Sequence, residues 1–366
     1  MSKRGDGASI RLADADCLQG DCRRGHWRLC NKRSVASPAM LPLGLSCVGW
    51  CDLQIVRWIL GIALLLALVV VVDRVLGWQS IAGDWLAVSP QTLAVALALF
   101  LSSHLLRAFR IYRYSARALG LGYGDTVKIS AVHQALNNLL PMRLGEGAYP
   151  LLMRQYGGQA IGSALADLIW LRLLDLVIMG SLVVALIVDA FANATAVVLS
   201  TLASIALASF ILDSAIAAGR RGSGDANKSR LASVVTTLVD RAPATWGQQA
   251  VLLLLTVSAW TAKLLGLLIL LDAMTALPLT TILTSLVGGE VSGILPVHGL
   301  AGAGTYEAAF VVAGSTSGEA AEQLLQAGVN AHIFVLLTTC GLATLLLLPL
   351  LVPTGKVRDN SGNSSD

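Results

Sequence analysis

Two interrupted apolar runs hold most of the residues in this 366-residue chain that could do chemistry. The first reads Asn137-Asn138-Leu139-Leu140-Pro141-Met142-Arg143-Leu144-Gly145-Glu146-Gly147. The second reads Gly293-Ile294-Leu295-Pro296-Val297-His298-Gly299-Leu300-Ala301-Gly302-Ala303-Gly304, and then Tyr306-Glu307. In both, an apolar stretch ends in Leu-Pro, a residue able to carry positive charge follows, and glycines and a glutamate close the motif. Arg143, with Arg154 one short helix further on, offers planar guanidinium donors that match phosphate oxygens two at a time. Asn137 and Asn138 add amide donors and acceptors. Glu146 could hold Arg143 in place or relay a proton, and a plain Arg143–Glu146 loop cap competes with a ligand-binding role. The chemistry on offer is capture of an anionic or polar head group.

The elements that must position these residues follow from composition. The chain is 55% hydrophobic and 13% charged, with a mean hydropathy of +0.71, too little charge to cover a water-soluble surface of this size. Runs long enough to cross a hydrocarbon core of roughly 30 Å lie near 55–72, 91–110, 162–188, 194–217, 250–271 and 329–352. The stretches 129–141 and 280–296 are shorter or broken. Pro141 and Pro296 remove an amide and end a helix, while Gly145, Gly147, Gly302 and Gly304 let the backbone reverse. Irregular backbone at membrane depth has to be buried in protein or line a wet cavity, so both stretches are expected as re-entrant hairpins. The expected fold class is an all-α polytopic membrane protein of about six full transmembrane helices plus two re-entrant hairpins.

Arginine placement predicts orientation. Arg107, Arg110, Arg113, Arg117 and Lys128 follow the second span, Arg220, Arg221, Lys228 and Arg230 follow the fourth, and Lys356 and Arg358 follow the last. The opposite connections, 73–90, 189–193 and 272–279, hold only Arg74. By the positive-inside rule both termini are cytoplasmic. The two broken segments then enter from opposite sides, and the halves 91–188 and 250–352 read as an inverted repeat, the arrangement that places transporter substrate paths at the midplane.

Charges inside the spans narrow the candidates. Asp167, Arg172 and Asp175 interrupt one apolar helix, and Arg172 and Asp175, three apart, share a face and can pair. A charge at the bilayer centre costs about 3 kcal/mol or more, so it should face the bundle interior with a partner. That pair could wall a substrate path or only lock helix packing. Lys263 either snorkels or meets a partner such as Glu290, and Glu290 and Glu307 could relay protons or pair with cations. His104 and His332, on apolar faces, read as satisfied core residues.

The flanks differ in kind. Residues 1–50 carry eight basic and four acidic side chains, and five of the six cysteines lie within 17–51. This reads as a disordered cytoplasmic tail, or as upstream of a start at Met40, and residues 354–366 read as a second disordered tail. Cys17, Cys22, His26 and Cys30 have a spacing that could hold zinc, but no strand or helix frame accompanies it, and no metal is expected. No phosphate loop, metal cluster or nucleophile–base pair stands out, so catalytic residues and cofactors are expected to be none.

The run Asn138-Leu-Leu-Pro141-x-Arg143-x-Gly145-Glu146, followed by Arg172-x-x-Asp175, resembles the transmembrane, flippase-like domain of the lysylphosphatidylglycerol synthases. Pro296 to Glu307 resembles that family's Pro-x-Gly-Gly-x-Gly-x-x-Glu motif with extra residues between. The resemblance spans roughly 52–352, within a transmembrane domain taken as 51–353. It implies a stand-alone member, without the aminoacyl-transferase domain of some relatives, that moves a lipid head group between leaflets of a bacterial inner membrane. Where the family often has an arginine just after Gly-Glu, this chain has Ala148-Tyr149-Pro150, which shifts the anion contact to Arg143 and Arg154. Partners expected are a membrane lipid (phospholipid, polyprenyl phosphate or hopanoid) and no nucleic acid, with a homodimer and lipid-biosynthesis enzymes left open. The alternative reading is an intramembrane transferase, with Glu146, Asp175 or Glu290 as its carboxylates, or an accessory protein in lipid, hopanoid or lipid-linked glycan synthesis.

Overall fold

A computed structural model of the protein describes residues 47–189, 230–243, 245–293 and 299–351, with some positions between 199 and 217. The described residues form eleven α-helices and short 3-10 and π turns, with no strand among them. The helices are α1 (Cys47–Val71), α2 (Trp78–Ala87), α3 (Pro90–Tyr114), α4 (Tyr123–Leu139), α5 (Ala148–Gly157), α6 (Ile161–Asp189), α7 (Arg230–Asp240), α8 (Trp246–Met274), α9 (Leu279–Ser292), α10 (Thr305–Gly314) and α11 (Ala321–Leu351). Five helical segments among them are long and apolar enough to cross a membrane: Trp58–Leu76, Pro90–Tyr114, Ile161–Ile187, Trp246–Met274 and Ala321–Leu347. They correspond to five of the six spans expected from hydropathy. The sixth, 194–217, falls largely outside the described residues, as do the cysteine-rich amino-terminal segment and the 354–366 tail.

Local chemistry sets the helix ends. Pro90 opens α3 with its fixed φ, and the Ser89 hydroxyl accepts the Thr92 amide at 3.1 Å, satisfying one of the free first-turn donors. Thr245 caps α8 in the same way, accepting from Gln248 at 3.2 Å. Each interrupted run becomes two short helices with an irregular turn between them: α4 and α5 around Pro141–Gly147, and α9 and α10 around a turn that includes Leu300–Gly302.

The spans pack through small residues, as expected where lipid removes most of the hydrophobic drive for helix association. Gly266 of α8 faces Ala96 and Phe100 of α3, and a Cβ there would stand 2.9 Å from the Ala96 carbonyl oxygen. Further along, Arg110 of α3 reaches Thr256 of α8 at 2.8 Å. Since the number rises on α3 as it falls on α8, the two helices are antiparallel. On α11, Phe334 meets Phe100 and Thr339 approaches His104, so α11 runs parallel to α3. Gly288 and Gly314 bring α9 and α10 into similarly close contact. Phe100, Leu267, Leu271, Ile282, Leu286, Phe310 and Phe334 fill the largest buried cluster, between α3, α8, α9, α10 and α11.

Candidate functional site

The site is built on the two broken turns. Pro141 cannot continue α4, and Leu140 before it is extended (φ −82°, ψ 136°). The chain then folds back so tightly that a Cβ on Gly145 would lie 2.3 Å from the Asn137 amide nitrogen. Gly145→Ala is therefore expected to destabilise the protein by about 1–3 kcal/mol, read as a lower unfolding midpoint in detergent. Arg143 sits in the left-handed region at φ 58°, and in the second turn Ala301 does so at φ 55°. They are the non-glycine residues with positive φ among the described residues, one in each turn. For such residues this conformation costs about 1–2 kcal/mol and persists where the surroundings over-determine it, commonly at functional sites. Gly302 and Gly304 have φ of 79° and 81°. Both turns converge on Gly61 of α1: a Cβ there would lie 3.1 Å from the Leu300 amide and 3.2 Å from the Pro141 side chain.

Beside this meeting point is a cavity of about 450 Å³. Its polar wall comes from α3 (Ser103, His104, Arg107), from α4 and its turn (Gln134, Asn137, Asn138, Arg143, Glu146), from α6 (Arg172, Asp175), from α8 (Trp260, Lys263) and from α9 (Glu290). Three ion pairs are close. Arg110 donates twice to Asp175, at 2.7 and 3.1 Å; Arg172 meets Glu146 at 2.9 Å; Lys263 meets Glu290 at 2.6 Å. Arg107 and Arg143 have longer approaches, 4.0 Å to Asp175 and 3.8 Å to Glu146. The Arg107 guanidinium lies 4.5 Å from the centre of the Trp260 ring, while the Trp260 indole N–H donates to Asp175 at 3.1 Å. The Asn137 Oδ1 and His104 Nδ1 atoms are buried without a hydrogen-bond partner.

Asn137, Asn138, Arg143, Glu146, Arg172, Asp175 and Glu290 all line this one cavity. Arg154 does not: it is exposed on α5, away from the lining. The carboxylate closest to Arg172 is Glu146, with Asp175 at 3.6 Å, so the three-residue spacing of Arg172 and Asp175 names a secondary contact. Gly147 is exposed, and no atom stands near where its Cβ would be. Glu307, 2% exposed, is not in the lining: its Oε2 accepts the Gly304 amide at 2.8 Å and its Oε1 lies 2.6 Å from His332 Nδ1. It fastens the start of α10 to α11. Pro296 falls outside the described residues. By position after an apolar run Arg107 and Arg110 belong to the cytoplasmic positive cluster, whereas in the fold both are buried in the bundle. The available signal was their three-residue spacing below Ser103 and His104, inside a helix of 25 residues.

Asp167 belongs to a separate structure. Fully buried, it takes two 2.6 Å bonds from Arg241, just after α7, and one of 2.8 Å from Gln159. Trp170 donates to the Leu238 carbonyl at 2.7 Å. These bonds strap α7 to α6. Arg241→Ala would leave Asp167 buried without its counter-ion, and a loss of about 3–5 kcal/mol is expected, measurable by denaturation in detergent.

Residues 58–343 match the family described as the lysylphosphatidylglycerol synthase TM region. The chain belongs to this family. No curated protein and no solved structure matches it. With its apolar spans, this member of the lysylphosphatidylglycerol synthase TM region family is a multi-pass membrane protein. Its cavity has an apolar side as well as a polar one. Leu165, Ile169 and Leu176 of α6 line the cavity and are also 46%, 37% and 49% exposed, so the charged chamber is bordered by a greasy strip facing outward. Among the described residues, no three His, Cys, Asp or Glu side chains converge as a metal site.

Proposed function

We propose that the protein is a lipid translocase of a bacterial inner membrane, with both termini cytoplasmic. It moves an amphiphile with an anionic or polar head group between leaflets. The observation that carries this reading is the pairing of a buried, charged chamber with the exposed apolar strip of α6 on its border. A head group fits the chamber while its acyl or prenyl chains stay in lipid along Leu165, Ile169 and Leu176. Arg143 neutralises the head group, and Asn137 and Asn138 replace water at its oxygens.

The proposed architecture is an inverted repeat whose re-entrant hairpins, α4–α5 and α9–α10, meet near the midplane. Antiparallel packing of α3 on α8, and the convergence of both turns on Gly61, support it. The distribution of bonds supports rocking of one half against the other. Each close ion pair at the cavity lies within one half, whereas across the halves the second half offers neutral side chains: Thr256 to Arg110, Trp260 to Asp175, and Thr339 to His104. Movement between halves breaks the weaker bonds and keeps the charges paired.

The test is lipid translocation in proteoliposomes. Purified protein is reconstituted with head-group-labelled lipids of anionic, zwitterionic and cationic classes, and outer-leaflet label is bleached with an impermeant reductant. Bleaching well beyond the half expected of sealed vesicles is the anticipated result for at least one anionic or polar class. Bleaching equal to that of empty vesicles in every class would overturn the translocase reading.

A further inference from the structure

The charges at the cavity do not balance. Arg107, Arg143, Arg172 and Lys263 line the cavity, and Arg110 joins them behind the wall through Asp175; among the described residues these five cations face three carboxylates, Glu146, Asp175 and Glu290. The carboxylates are each used by a close cation, at 2.9 Å for Glu146, 2.7 Å for Asp175 and 2.6 Å for Glu290. The two cations left over are the two guanidiniums with long approaches, Arg107 at 4.0 Å and Arg143 at 3.8 Å. Both line the cavity. An uncompensated charge in an apolar bundle is costly, and five fixed donors on each guanidinium suit phosphate oxygens.

We infer that the cavity takes a head group carrying two negative charges on a terminal phosphate, a phosphomonoester at the end of a lipid. Such a group supplies the two missing charges, and Arg107 and Arg143 bind its oxygens from α3 and from the first broken turn. Trp260 holds Arg107 in place from beneath while its own N–H is spent on Asp175. A cationic head group would add to a surplus of positive charge, and a monoanion would leave one guanidinium uncompensated. The inference rests on the translocase reading, since it names the substrate class of the same chamber.

Binding to the detergent-solubilised full chain at pH 8 tests it, by calorimetry with dihexanoyl phosphatidic acid and its methyl ester, dihexanoyl phosphatidylmethanol. The pair differ by one methyl group and one charge. Phosphatidic acid is expected to bind at least tenfold more tightly, and Arg107→Gln and Arg143→Gln are each expected to bring that ratio close to one. Arg107→Gln leaves Asp175 with its two bonds from Arg110, so the fold should survive; Arg143 is one-quarter exposed, and its removal leaves Glu146 with the closer Arg172 at 2.9 Å. Equal binding of the two lipids, or a ratio unchanged in both variants, overturns the inference; if vesicle translocation of a monoanionic lipid persists, the translocase reading stands without it. Inorganic phosphate that displaces phosphatidic acid at equal concentration would assign the site to the free ion and overturn the lipid assignment. Absence of binding by either lipid, together with absence of translocation in every class, overturns both readings.

Discussion

An Asp175→Ala protein is expected to lose about 3–5 kcal/mol of stability and to accumulate poorly in the membrane. Asp175 is the carboxylate on which most of the buried positive charge depends. It accepts two bonds from Arg110, lies 3.6 Å from Arg172 and 4.0 Å from Arg107, and accepts the Trp260 indole N–H. The Arg110 side chain is 5% exposed, so removal of its partner leaves a guanidinium that water can hardly reach. Asp175→Asn keeps the shape and an acceptor for Trp260 but not the charge, and should fall between Ala and the native residue. Arg172→Ala should cost less than Asp175→Ala, because Arg110 still neutralises Asp175. Denaturant titration of the solubilised protein measures all three. An Asp175→Ala protein as stable as the wild type would mean that the cavity admits enough water to solvate Arg110, and the buried-network account would fail.

Removal of Arg143 is expected to act on transport and to spare the fold. A hydrogen bond to a charged group contributes about 1.5–3 kcal/mol, so loss of the Arg143 guanidinium should slow lipid translocation by roughly tenfold to a hundredfold. Its stability cost should be small: the side chain is 25% exposed and its nearest carboxylate is 3.8 Å away. The informative variant is Arg143→Gly. Arg143 occupies left-handed backbone at φ 58°, so glycine removes the guanidinium and relieves the backbone at once, and stability should hold or rise by up to about 1 kcal/mol. A stable Arg143→Gly protein that transports at the native rate would reduce Arg143 to a loop cap. That reading is already weakened by Glu146, which gives its close contact to Arg172 at 2.9 Å.

The helical class and five of the spans were legible because their signal is local. A run of apolar residues long enough to cross a bilayer has few alternatives once its backbone must satisfy its own hydrogen bonds. The break after Leu140 was legible for the same kind of reason, since Pro141 carries its restriction wherever it stands. Most of the cavity residues were also visible as polar groups in apolar runs: Asn137, Asn138, Arg143, Glu146, Arg172, Asp175 and Glu290. Periodicity was a poorer guide to partners. The three-residue spacing of Arg172 and Asp175 promised a close pair, but packing brought Arg110, 65 positions away, nearer to Asp175.

Arg107, Arg110 and Arg154 mark the boundary between the two kinds of information. All three are arginines near the end of a helix, and sequence treated the first two as cytoplasmic anchors and the third as a ligand. The fold reverses this: Arg107 and Arg110 turn into the bundle toward α6 and α8, while Arg154 faces outward on α5. The sequence by itself determined that this chain is a helical membrane protein with two broken segments and costly charges at depth, because those properties follow from each residue's own side chain and backbone. Only the tertiary structure decided which charges neutralise one another and which two guanidiniums are left over, because a charge at depth is compensated by whichever side chain the helix packing brings within about 3 Å, however distant in the chain.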